Sequence, residues 1–142
     1  MGFLVTYSAQ VRAYQKRMEA VPAQLRAELL TILSKNAHEL ADGIRQLAEE
    51  SRLTGELIGS IKVTGPGETS PAFSLGGSRV AGPLEFIVSV GDHEVRYAAH
   101  VEFGTVHADA HPFFWPAVRA LAKRHRNRLN RTIRQFWKRW SA

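Results

Sequence analysis

Cysteine is absent from all 142 residues. That excludes disulfide cross-links and every thiolate metal site, leaving packing alone to hold the chain together. No apolar run reaches the roughly 20 residues that a membrane-crossing helix needs. Residues 1–7 are too short and lack the charged flank of a secretory signal, so synthesis in the cytosol is expected. Catalytic patterns are also missing. No serine sits in a G-x-S-x-G elbow, and neither Gly65-Pro66-Gly67 nor Gly76-Gly77 is followed by the Lys-Ser/Thr of a phosphate loop. No internal repeat is visible.

A further absence is regional. Residues 117–142 contain no Asp or Glu but nine basic residues: Arg119, Lys123, Arg124, Arg126, Arg128, Arg131, Arg134, Lys138 and Arg139. Residues 1–116 hold ten Lys/Arg against thirteen Asp/Glu, a charge of −3, so the net +6 comes entirely from a +9 tail. Such asymmetry calls for an acidic partner, either protein or nucleic acid. Contact with an acidic protein surface ranks first here, a phosphate backbone second and a membrane surface last.

The chain has the length and the ordinary apolar content of one domain with a real core. Tyr7, Val11, Tyr14, Met18 and Val21 recur at three- and four-residue spacing, and Leu25, Leu29, Ile32, Leu40, Ile44 and Leu47 continue the stripe. Pro22 interrupts it. A proline costs roughly 3 kcal/mol inside a helix and little in the first turn, which predicts a helix over 8–20 and a longer one over 22–50, or one rod kinked at Pro22. Leu57, Ile58 and Ile61 lead into a strand near 60–64. Residues 64–83 hold five Gly and three Pro, reading either as a mobile hairpin tip or as a loop that orders only when a neighbouring subunit packs against it. Its removal, over 67–82, is expected to leave the monomer folded.

Leu84, Phe86, Val88 and Val90 alternate as a strand does, and Gly91-Asp92-His93 predicts a turn into a second strand at Glu94–Arg96. Tyr97, Val101, Phe103, Phe113, Phe114 and Trp115 are expected beneath the sheet. Pro116 fits the first turn of a basic helix over 116–140, whose stripe runs through Val118, Ala122, His125, Leu129, Ile133, Phe136, Trp137 and Trp140. The fold class is α+β: long helices at both ends and a small antiparallel sheet between, in one domain spanning 1–142.

Two local features bear on chemistry. His107-x-Asp109-x-His111 places three metal-ligand types on one face if extended, but the spacing matches no helix-borne metal pattern, so a solvated or interface loop is favoured over a metal-dependent hydrolase. Glu102 stands among apolar residues, and a buried carboxylate needs a partner. Thr105 or an arginine of the last helix is the expected one, with Gly104 supplying unusual backbone freedom.

Tyr97-Ala98-x-x-Val101-Glu102-x-Gly104-Thr105, followed by Pro112-Phe113 and then Pro116, resembles the signature of the HK97 gp10-like phage proteins. Thr54-Gly55-x-Leu57-x-x-Ser60-Ile61 is similar to that family's first motif, and the two occur in the family's order over about half the chain. The basic tail lies outside the signature. The resemblance implies a structural virion protein at the head–tail junction of a tailed bacteriophage or a gene-transfer-agent-like particle, made in the bacterial cytoplasm. It implies no catalysis and no cofactor. It also implies a ring, six-fold by expectation, around the DNA channel. A portal-adaptor or stopper ring would lie on one side and the tail terminator or tail tube on the other. With the 64–83 loop and the basic helix as arms, Arg128, Arg131 and Arg134 are expected to clamp an acidic surface of another protein. A free DNA-binding protein is the rival reading.

Overall fold

A computed structural model describes residues 12, 13, 16, 22–74 and 78–141. The elements are α1 (Ala23–Glu50), α2 (Gly55–Gly59), β1 (Lys62–Thr64), β2 (Ile87–Ser89), α3 (Ala98–Phe103) and α4 (Phe114–Trp140). The architecture is α+β, as the periodicities predict. Arg12, Ala13 and Lys16 are helical. The rest of the expected 8–20 helix, and with it any kink before Pro22, lies outside the described residues.

Pro22 caps α1 with extended backbone (φ −55°, ψ 142°), where its missing N–H removes no helical bond. The other end closes in a Schellman arrangement: Leu53 N–H donates to the Ala48 carbonyl and Arg52 N–H to that of Glu49. Arg52 takes the left-handed conformation (φ 55°) usually given to glycine there. Thr54 then caps α2, its hydroxyl accepting from Leu57 N–H at 3.2 Å. The predicted 60–64 strand therefore shortens to β1, because this cap and the buried Leu57 commit the preceding residues to a helical turn.

β1 and β2 pair antiparallel, with Lys62 opposite Ser89 and Thr64 opposite Ile87. The Glu94–Arg96 strand does not form. The Asp92 carboxylate accepts from the N–H groups of Glu94 and Val95, both at 2.9 Å, and a side chain bonded to its own following backbone makes a turn instead of a ladder. The described parts of the 64–83 connection, 64–74 and 78–83, are likewise not an unstructured loop. Thr69 bridges Val80, Gly67 N–H donates to Ala81 O, Ala81 N–H to Glu68 O and Ser70 N–H to Arg79 O. Ser70, Ser74 and Ala81 are buried, and Arg96 stacks 4.0 Å over the Phe73 ring. Within the described residues this excursion is hydrogen-bonded to itself and packed on the subunit.

α1 and α4 lie antiparallel. Glu28 faces Arg139, Asn36 faces Arg128, and Gly43 sits where an added Cβ would come within 3.2 Å of Leu121. Two apolar clusters form along the pair. One joins Leu25, Leu29, Leu84 and Phe136, and the larger runs from Ala41, Ile44 and Ala48 of α1 through Leu57, Ile61 and Val90 to Phe113, Phe114 and Ala117. A polar group built on Asn36 and Glu39 lies between them along both helices.

Candidate interaction surface

The residues that carry the family resemblance meet in space. Thr54 Oγ1 lies 2.6 Å from the Tyr97 hydroxyl across 43 positions of chain. Ser60 donates to Leu57 O at 2.6 Å and accepts from Gly91 N–H at 2.9 Å, tying α2 to the end of the sheet. Leu57, Ile61, Ala98 and Phe113 share the larger core, with Val101 packed against it. Gly104 (φ 76°) turns the chain out of α3, and its Cα is so close to Ala110 N that a Cβ would approach to 2.8 Å. Thr54, Gly55, Thr105 and Pro112 are exposed, and Tyr97, Val101, Gly104 and Pro116 are half-buried. Leu57, Ser60, Ile61, Ala98, Glu102 and Phe113 are buried, so they build the subunit and cannot touch a neighbour directly.

Glu102 is the clearest case. Only 3% exposed, it accepts from Phe113 N–H (2.8 Å) and Phe114 N–H (3.0 Å) on Oε2 and from Trp115 N–H (3.0 Å) on Oε1. The partner is thus neither Thr105 nor an arginine, but the start of α4. Three amide groups that no helical carbonyl can serve receive one carboxylate, placed at the positive end of the helix dipole. This cap also corrects the boundary: α4 starts at Phe114, and Pro116 follows in the first turn.

The nine basic residues of α4 divide into two sets. Arg128 donates to Asn36 Oδ1 at 2.7 Å and to Glu39 Oε2 at 3.2 Å. Arg124 and His125 also reach Glu39, at 3.3 and 3.2 Å, and Arg139 grips both oxygens of Glu28 at 2.7 and 2.8 Å. Partial burial disfavours the Glu39 charge. Hydrogen bonds from His125 and Arg128, with the charges of Arg128 and Arg124, outweigh that and hold its carboxyl below the ordinary carboxylate value. Arg124, Arg128 and Arg139 are thus engaged within the subunit, which removes Arg128 from the expected clamp. Arg119, Lys123, Arg126, Arg131, Arg134 and Lys138 are exposed, and none is in an ion pair among the described residues.

Apolar side chains are also left facing solvent. Phe103 is 63% exposed and Trp115 40%, where both were expected in the core, and Val106 is 97% exposed. Trp137 and Trp140 are open at the far end of α4, Trp140 stacking on buried Phe136 beside an open groove lined by Gln24, Ala27, Glu28 and Arg139. Sequence periodicity missed this exposure, because Trp137 and Trp140 fall in the same stripe as Phe136. His107, Asp109 and His111 lie in the exposed 104–112 loop, and no group of three or more potential metal ligands occurs among the described residues. No described helix is long and apolar enough to cross a membrane.

Compared with family models, curated proteins and solved structures, the chain matches none.

Proposed function

We propose that this chain is a structural subunit of the head–tail connector of a tailed bacteriophage or related particle, forming a ring that joins the DNA-filled head to the tail. One observation supports this reading above the others. The two sequence segments that resemble the connector family, separated by some three dozen residues, fold against each other as a single unit through the Thr54–Tyr97 contact and a common core. The arrangement around that unit suits a ring subunit: a packed wedge, a hydrogen-bonded excursion over 64–83, and exposed apolar and cationic surfaces flanking it. Head-to-tail contacts between such wedges close when the rotation between copies divides a full turn. In this reading the chain neither catalyses a reaction nor carries a cofactor.

The test is genetic and structural together. Removing the gene from the producing particle should leave filled heads and finished tails that do not join, and reconstruction of the intact particle should place the chain in the collar. Joined, infectious particles lacking the chain would overturn the proposal.

A further inference from the structure

The six cations left over from internal pairing share one side of α4. On a helix of 3.6 residues per turn, Arg119, Lys123, Arg126 and Arg134 fall within about 80° of one another, and Arg131 and Lys138 extend the arc to about 140°. The opposite side packs on α1. From Arg119 to Lys138 this face runs for about 28 Å along the helix, most of one turn of a DNA duplex. It carries no carboxylate.

We infer that this face binds the phosphate backbone of a DNA duplex, without sequence preference. Its composition separates that partner from an acidic protein. A stable protein interface has an apolar, desolvated centre within a polar rim. Between Arg119 and Arg134 the exposed positions hold cations, Ala120, Asn127 and Asn130, with no large apolar side chain; the exposed tryptophans stand only at the ends. Guanidinium, ammonium and side-chain amide groups are the donors that phosphate oxygens accept from, and they read no bases from outside a groove. Engagement of Arg124, Arg128 and Arg139 with Glu39 and Glu28 fixes the rod against α1, so the remaining cations are presented at set spacing. The inference deepens the connector reading, which it needs only to supply the duplex, namely the DNA that the ring encloses.

Fluorescence anisotropy of the purified full chain with a labelled duplex, against sodium chloride, tests it. Duplex affinity should fall with a log–log slope of about −5 if all six cations release counterions. The variant R119Q/K123Q/R126Q/R134Q, with circular dichroism and melting unchanged, should bind at least about tenfold more weakly at moderate salt, and its slope should shrink to about −2. Arg139→Gln, an internally paired cation, should stay within a few-fold of the parent. Absence of binding at low salt, equal affinity of the quadruple variant, or poly-glutamate displacing the duplex at equal charge overturns the inference, the last in favour of an acidic protein. These outcomes leave the connector reading standing, because that reading is decided on the particle.

Discussion

Glu102 and Phe114 are linked by a 3.0 Å hydrogen bond from the Phe114 amide to the Glu102 carboxylate, which also serves the amides on either side. α3 therefore sets both the start and the direction of α4, and through it the position of every cation on that helix. Glu102→Gln keeps the side-chain volume but turns one acceptor oxygen into a donor facing backbone N–H groups. It should destabilise the fold by about 2–4 kcal/mol, a charged hydrogen-bond site losing its acceptor in the interior. Urea denaturation measures this, and an unchanged midpoint would show that α4 starts without the cap.

Glu39 makes stability depend on acid. Its folded-state value is depressed, so its contribution is fully present above the unfolded value and is lost as pH falls through the folded one. Melting temperature should therefore drop on going from neutral pH to below the ordinary carboxylate range, and Glu39→Gln should be less stable at neutral pH with a flatter acid limb. Parallel curves for the two proteins would mean that other carboxylates dominate.

How much of this was legible in the sequence depends on the range of the force involved. The stripes of Leu25, Leu29 and Ile44 and of Leu129, Ile133 and Phe136 announced both long helices, because helix burial repeats locally. Asp92 defeated the Glu94–Arg96 strand because a side chain took the amides that a ladder needs. The pairing of Arg128 with Asn36 and Glu39, some ninety positions away, follows only from the antiparallel packing of α1 and α4. Exposure of Phe103 and Trp115 was likewise hidden, since an aromatic residue beside a core looks the same in sequence as one inside it.

Two neighbouring arginines should behave oppositely. Arg128 is held in the polar group between the cores, so Arg128→Gln leaves Asn36 and Glu39 short of a charged donor and should cost about 1–3 kcal/mol. Arg126 is exposed and without an ion pair, so Arg126→Gln should stay within about 0.5 kcal/mol of the parent. Thermal melts of the two variants side by side decide this. Equal losses would mean that the division of the basic residues is wrong.

Gly104 and Gly55 offer a similar contrast in backbone. At Gly104 an alanine must adopt φ 76° with its Cβ 2.8 Å from Ala110 N, whereas at Gly55, opening α2, a Cβ meets nothing within 4 Å. Gly104→Ala should destabilise by about 1–3 kcal/mol. Gly55→Ala should be neutral or slightly stabilising. Denaturant midpoints would show it, and a tolerated Gly104→Ala would mean that the 105–111 loop shifts freely.

The ring reading makes its sharpest demand on Phe103 and Val106. A monomer gains nothing by holding them in water, since apolar surface left exposed forgoes roughly 25 cal/mol for each Å² that burial would remove. Exposed apolar side chains beside a rigid core are what an association surface uses. Phe103→Ser combined with Val106→Ser should lower the melting temperature by only a few degrees, because Val106 is almost fully exposed and Phe103 mostly so. The same variant should shift the oligomer population to monomer in native mass spectrometry and fail to join heads to tails in complementation. If it assembles as well as the parent, subunit contacts run through other surfaces, and the tryptophans at the far end of α4 become the next positions to change.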